Sequence, residues 1–269
     1  MNTIGEKIVL ATRTDQDGLK ECVEKIERLL TFGYIAKGYI VYKGDPKIEN
    51  NIVFVHDDNP TRESAFQLVI DSLQDDFKNS GNKYHLLTFS KEVEFNSGNI
   101  EKMLSEIEQG IIVVGYKLCD NVLSERETRQ FGGGENFDDY GVAYQVPWNT
   151  YALWNKEFVY GSGDKKLIFD KMCEGNQPGN LEVVVNGIII KTDYKGMEDG
   201  LAIARLISKD PDLKFKLIDE ILPWRIDEKF ERRLKHKVKM ARKNAVLSHL
   251  INVNGYSIDK LMESKIKTK

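Results

Sequence analysis

Apolar and polar positions alternate in blocks along the first part of the chain. Short apolar runs at Lys7–Thr12, Tyr39–Tyr42, Ile52–Val55 and Leu86–Phe89 read as strands buried on both faces of a mostly parallel sheet. Between them, apolar residues recur at helical spacing. Leu19, Cys22, Val23, Ile26, Leu29 and Leu30 form one such face, and Phe66, Val69, Ile70 and Leu73 form another within Arg62–Leu73. Lys43-Gly44-Asp45-Pro46 is a strong turn signal after the second strand. A helix over Asn99–Glu108 and a strand over Ile111–Tyr116 follow. Strand–helix alternation at this spacing predicts βαβ units, and hence a half domain of the nucleotide-binding type over about residues 1–116.

The pattern then changes. Lys117–Tyr140 has few large aliphatics and contains Gly132-Gly133-Gly134. It reads as an irregular loop and a candidate lid. Its glycines lack the preceding strand, following helix and Lys-Ser/Thr of a phosphate cradle. Tyr144–Val159 holds two of the three tryptophans, Trp148 and Trp154, and suits either plain core or a sugar or base platform. Leu181–Lys191 predicts a strand pair bent at Asn186-Gly187. Gly196–Gly200 then opens a helix with Glu198 and Asp199, a pair that can serve simply as dipole-favoured capping. The acceptor-side half of a domain spanning 1–224 would occupy about 141–224. Residues 225–269 form a basic helical extension with thirteen Lys/Arg against five Asp/Glu. Its run Phe230–Val246 suits a solvated helix face, a pyrophosphate contact or a site attracted to anionic lipid. Ser264–Lys269 is expected to fray.

Charge and composition narrow the class. With 269 residues, 41% of them hydrophobic, the chain can bury a substantial core. A net charge of -3 argues against a general nucleic-acid binder. Three scattered cysteines without metal-like spacing fit a reducing compartment, and no apolar run is long enough to span a bilayer. The expectation is a cytoplasmic protein, with peripheral membrane contact through the basic C-terminus left open.

Candidate chemistry begins at Glu92, where a buried strand surfaces into Ser90-Lys91-Glu92. Ligands of open α/β sheets bind just outside the carboxyl ends of the strands, so a carboxylate there can meet a metal or a phosphate. The order of motifs resembles a GT-A-fold nucleotide-sugar glycosyltransferase of the inverting family 2 type over roughly residues 7–225. The resemblance is carried by the turn Ala11-Thr12-Arg13-Thr14 after strand one and by Asn59–Ala65 opening a helix. LLTFSKEVEF (from Leu86) looks like the strand ending in that family's Asp-x-Asp. VPWNTYALWNKEF (from Val146) looks like the acceptor-side segment, and GMEDGLAIARL (from Gly196) is similar to the Glu-Asp motif.

The resemblance implies transfer of a sugar from a nucleotide-diphospho-sugar to a hydroxyl acceptor with inversion, in polysaccharide or glycan biosynthesis. Asp199, or Glu198 beside it, would be the general base. Thr12, Arg13, Asp45, Asn59, Ser90 and Lys91 would bind the nucleotide, with Asp57 or Asp58 able to replace Asp45. Trp148, Asn149 and Trp154 would meet the acceptor. Mg²⁺ or Mn²⁺ would sit near Glu92, held by Glu92 and Glu94 with His236 or His249 as a distant ligand. Ser90 stands where the family has its first acid, and Lys91 adds a cation. The leaving phosphate could therefore be met by Lys and Arg alone, or activity could be lost. His56 and His85 adjoin strands and read as structural. The alternatives are a non-catalytic sugar or nucleotide binder on the same scaffold and a nucleotidyltransferase. The latter is disfavoured because ATRTDQDG lacks a Gly-rich, Arg-containing loop.

Overall fold

The computed structural model describes residues 6–58, 65–118, 145–169, 181–185, 188–192, 198–223 and 243–268. The strands are β1 (Ile8–Arg13), β2 (Ile35–Tyr42), β3 (Lys47–Glu49), β4 (Ile52–His56), β5 (His85–Phe89), β6 (Ile111–Leu118), β7 (Tyr151–Trp154), β8 (Leu181–Val185), β9 (Ile188–Thr192), β10 (Lys214–Leu222) and β11 (Lys265–Thr268). The helices are α1 (Leu19–Leu30), α2 (Ala65–Ser80), α3 (Ser97–Ser105), α4 (Lys156–Val159), α5 (Glu198–Lys209), α6 (243–253) and α7 (Ile258–Glu263).

Nine strands form one sheet in the order β11-β10-β6-β7-β5-β1-β2-β4-β3, and β8 pairs with β9 separately. The sheet is mixed, with five of its eight strand pairings parallel. β1 is parallel to β2 and β5, β2 to β4, and β10 to β6 and β11. β3 is antiparallel to β4 at one edge, and β7 runs antiparallel between β5 and β6. The carboxyl ends of β1, β2, β4, β5, β6 and β10 therefore share one rim with the amino end of β7.

Period-two alternation sends side chains to two apolar layers. Val9, Ala11 and Leu86 face α2, α5, α6 and α7, whereas Ile8, Leu10, Leu87 and Phe89 face α1 and α3. α1 buries Cys22, Ile26 and Leu29, and α2 buries Phe66, Val69, Ile70 and Leu73, as their spacing predicts. α3 starts where the Asn96 side chain accepts from Asn99 N and the Asn99 side chain accepts from Asn96 N, a reciprocal cap that satisfies two otherwise orphaned donors.

β5 ends at Phe89, as the apolar run Leu86–Phe89 predicts, and the chain turns at Ser90. Two elements differ from expectation. The aromatic Tyr151–Trp154 is a central strand that the pattern did not predict, and all four residues are buried, in keeping with the plain-core alternative. Residues 265–268 do not fray but pair with Phe215–Ile218. Lys265 and Lys267 suit this edge position, because charged side chains on an edge strand deter further pairing. No helix among the described residues is long and apolar enough to cross a membrane. The loop expected at 117–140, the turn at Asn186-Gly187 and the basic run up to residue 242 lie largely or wholly outside the described residues.

Candidate functional site

The site lies on the rim, where the antiparallel β7 interrupts the parallel order. β5 delivers Ser90, and its backbone N–H donates to Thr150 O at 2.8 Å, tying the Ser90–Glu92 turn to the residues before β7. One residue back, the backbone N–H of Asn149 donates to Asp199 Oδ2 at 2.9 Å. Asp199 Oδ1 accepts from Gly200 N at 2.8 Å, so both carboxylate oxygens hold backbone donors. The residue is 6% exposed. Glu92's turn and Asp199 are thus brought to the same rim through the Asn149-Thr150 peptide.

Asn149 is itself fixed from below. Trp154 Nε1 donates to Asn149 Oδ1 at 3.0 Å, and the Thr88 hydroxyl lies 3.2 Å from the same oxygen. Because an indole can only donate, the carboxamide must turn its oxygen inward. Its Nδ2 is left buried without a hydrogen-bond partner among the described residues. Trp154 is fully buried, which corrects its expected acceptor contact: a ring with no exposed face cannot stack on a ligand, and it acts here by orienting Asn149. Trp148 remains half-buried, and Lys243 Nζ lies 5.1 Å from its ring centroid. Gly200 packs closely beneath α6, since a Cβ there would lie 2.8 Å from Leu247 Cδ2.

The β5 turn carries the charged groups. Ser90 Oγ donates to Glu92 Oε2, and Lys91 Nζ reaches to 3.7 Å from Asp15 Oδ1 on the β1–α1 turn. Asp15 Oδ1 also accepts from Gly18 N at 2.9 Å. Lys25 Nζ donates to Val93 O and lies 4.5 Å from the Phe95 ring centroid, pinning the far side of the turn. The turn also binds the end of β10, where Glu94 N donates to Pro223 O at 2.9 Å. Arg13 ends β1 on the opposite face of the sheet, with Cζ 5.3 Å from the Phe66 centroid. Thr12 is fully buried on the α1 side, which corrects its expected ligand contact.

Asp45 is exposed in the turn after β2 on the same rim. Its backbone carbonyl accepts from Tyr42 OH at 2.6 Å, while His56 Nδ1 donates to Gly44 O at 2.8 Å. His56 is therefore a turn clamp, in keeping with its structural reading. His85 lies at the opposite, amino-terminal edge. It is buried, with Lys156 N donating to Nδ1 at 3.2 Å and Nε2 donating to Glu6 Oε2 at 3.1 Å. Burial pushes its pKa down despite Glu6, so this contact is a hydrogen bond of neutral imidazole rather than an ion pair.

Asn59 and His236 lie outside the described residues, as does the side chain of Glu198. Sequence reasoning missed Thr88, Thr150 and Asp15. Only Thr88 left a signal, as a hydroxyl inside an otherwise apolar run. Among the described residues, no three Asp, Glu, His or Cys side chains gather as a metal site. Ser90-Lys91-Glu92 offers one carboxylate, already hydrogen bonded, beside an ammonium, and this donor set fits a divalent cation poorly. No protein-family model and no curated protein matches the chain.

Proposed function

We propose that the chain is an inverting glycosyltransferase on a GT-A-like scaffold, moving a sugar from a nucleotide-diphospho-sugar to a hydroxyl acceptor in the cytoplasm. The observation that carries this reading is the pair of contacts flanking one peptide: Ser90 N to Thr150 O, and Asn149 N to Asp199 Oδ2. They join a diphosphate-side turn to an acid on the rim where ligands of α/β sheets bind.

In this reading the donor lies across the ends of β1, β2 and β5, its base toward Asp45 and its diphosphate toward Ser90 and Lys91. The acceptor approaches past Trp148 and Asn149. Its hydroxyl proton passes to the Asp199 carboxylate as the oxygen forms a bond to the anomeric carbon. The bond from that carbon to the diphosphate breaks, and its electron pair leaves with the nucleotide. Each Asp199 oxygen accepts a backbone donor. The backbone bonds fix the carboxylate's direction, and such positioning is a large part of the advantage of an enzymatic base.

A second reading, a sugar or nucleotide binder without transfer, is favoured by the near-complete burial of Asp199. Incubation with UDP- and GDP-sugars separates the two. Release of nucleotide diphosphate by the native chain, lost in Asp199→Asn, supports the transferase. Nucleotide binding without turnover in either protein supports the binder.

A further inference from the structure

We infer that the rim binds the diphosphate of its ligand directly through Lys91 and Arg13 rather than through a divalent cation. The inference rests on the reading of the rim as a nucleotide-diphosphate site. A hard divalent ion takes six or more oxygen ligands, usually including carboxylates. The turn after β5 presents Ser90, Lys91 and Glu92 in succession, and the single carboxylate there already accepts from Ser90 Oγ. A divalent cation seated on this turn would also face the fixed positive charge of Lys91, which like-charge repulsion disfavours.

The cations are placed where the metal would be replaced. β1 and β5 are adjacent and in register, with Ala11 opposite Thr88, so Arg13 and Lys91 both leave the same rim, one on each face of the sheet. Lys91 folds over the β1–α1 turn. A Cβ on Gly18 would lie 2.4 Å from Lys91 Nζ and 2.2 Å from Thr14 Oγ1, so only glycine leaves room for the ammonium there. Arg13 flanks the end of β1 from the other face, its guanidinium held on the Phe66 ring. Two cations of different geometry, a compact ammonium and a planar fork, suit the two phosphoryl groups of a diphosphate. Asp15, the side chain 3.7 Å from Lys91, is well exposed and is the group a bound phosphate would displace.

This arrangement and a metal-centred one give opposite signs on removal of an acid. Binding to the full-length chain is measured by calorimetry, with inorganic pyrophosphate in EDTA and with UDP and GDP in EDTA or Mn²⁺. Pyrophosphate and one nucleotide are expected to bind in EDTA, the nucleotide within twofold of its affinity in Mn²⁺. Lys91→Gln and Arg13→Gln should each weaken binding about tenfold, the loss typical of one charged hydrogen bond. Asp15→Asn should tighten binding, and Glu92→Gln should leave it unchanged or tighter. An unshifted melting temperature in each variant shows that the fold is intact. Nucleotide binding that requires Mn²⁺ and is lost in Glu92→Gln would overturn the inference and leave the transferase reading standing. Pyrophosphate binding lost in Lys91→Gln, with no nucleotide bound in either buffer, would sustain the cation site and overturn the nucleotide reading. Failure of pyrophosphate to bind in EDTA, or wild-type affinity in a folded Lys91→Gln, overturns the inference.

Discussion

The backbone amide of Asn149 donates to Asp199 Oδ2 across 2.9 Å, joining residues fifty positions apart. The contact sets the direction of a nearly buried carboxylate from outside its own helix. Replacing Asp199 with Asn makes one position that accepts a backbone N–H into a donor facing a donor. Transfer is expected to fall by about 10²–10⁴-fold, the usual contribution of a positioned base. Stability should fall by about 1–3 kcal/mol from the mismatched pair. Single-turnover kinetics and urea denaturation measure the two effects separately, and wild-type turnover would remove Asp199 as the base.

Trp154 and Thr88 hold the Asn149 carboxamide from beneath. Trp154→Phe keeps most of the apolar volume but takes away the indole donor. We expect a loss of about 1–3 kcal/mol from the lost hydrogen bond and incomplete filling of the site. The midpoint of urea unfolding checks this. The variant should also raise KM for the acceptor more than for the donor, because it loosens only the acceptor side of the rim.

Gly115, in β6, lies under the segment that leads into the site. A Cβ there would approach Pro147 Cβ to 2.7 Å and Tyr151 O to 3.3 Å. A proline ring and a strand carbonyl cannot swing aside as a long side chain can. Gly115→Ala is expected to destabilise by about 1–3 kcal/mol through overpacking. It should also displace the Trp148–Thr150 turn, so activity should fall more steeply than the melting temperature implies. Equal melting temperatures for variant and native chain would contradict this account.

His85 gives the fold a pH dependence distant from the rim. Burial lowers its folded pKa below the usual value of 6.5, with Glu6 opposing and Lys156 reinforcing the shift. The unfolded chain therefore binds the proton more readily than the folded one. Stability from this group is full above pH 6.5 and is lost as pH falls from there through the lower folded pKa. Glu6 adds a second acid-side loss nearer its own range. Burial raises its pKa, but the Lys156 hydrogen bond and the neighbouring charges outweigh burial, and the net shift is downward. Melting temperatures of the native chain and His85→Gln should converge as pH is lowered from 8 to 5. Parallel curves would show that His85 does not titrate on unfolding.

Much of the scaffold was legible because burial on two faces leaves a simple mark: the apolar runs of β1, β2, β4 and β5, and the spaced faces of α1 and α2. β7 was hidden because Tyr-Ala-Leu-Trp is buried throughout and carries no alternation, so four strand residues look like any aromatic cluster. β11 was hidden for the converse reason, since the lysines of an edge strand look like those of a loose terminus. The rim position of Glu92 followed from strand polarity. The tie between Asn149 and Asp199 did not, because a hydrogen bond between distant segments leaves no local periodicity. Trp154 was misread for the same reason: residue type gives aromatic content, while only packing tells whether a ring face meets solvent.

The placement of β7 also bears on how the chain folds. β5 and β6 precede it in sequence but are hydrogen bonded to it and not to each other, so the sheet consists of two blocks spliced by four residues. As the polypeptide leaves the ribosome, the first block can form early, but a gap one strand wide must stay open until Tyr151–Trp154 emerges. Premature pairing of β5 with β6 would be a misfolded trap. Escape from it, rather than helix formation, is expected to be the slow step of refolding.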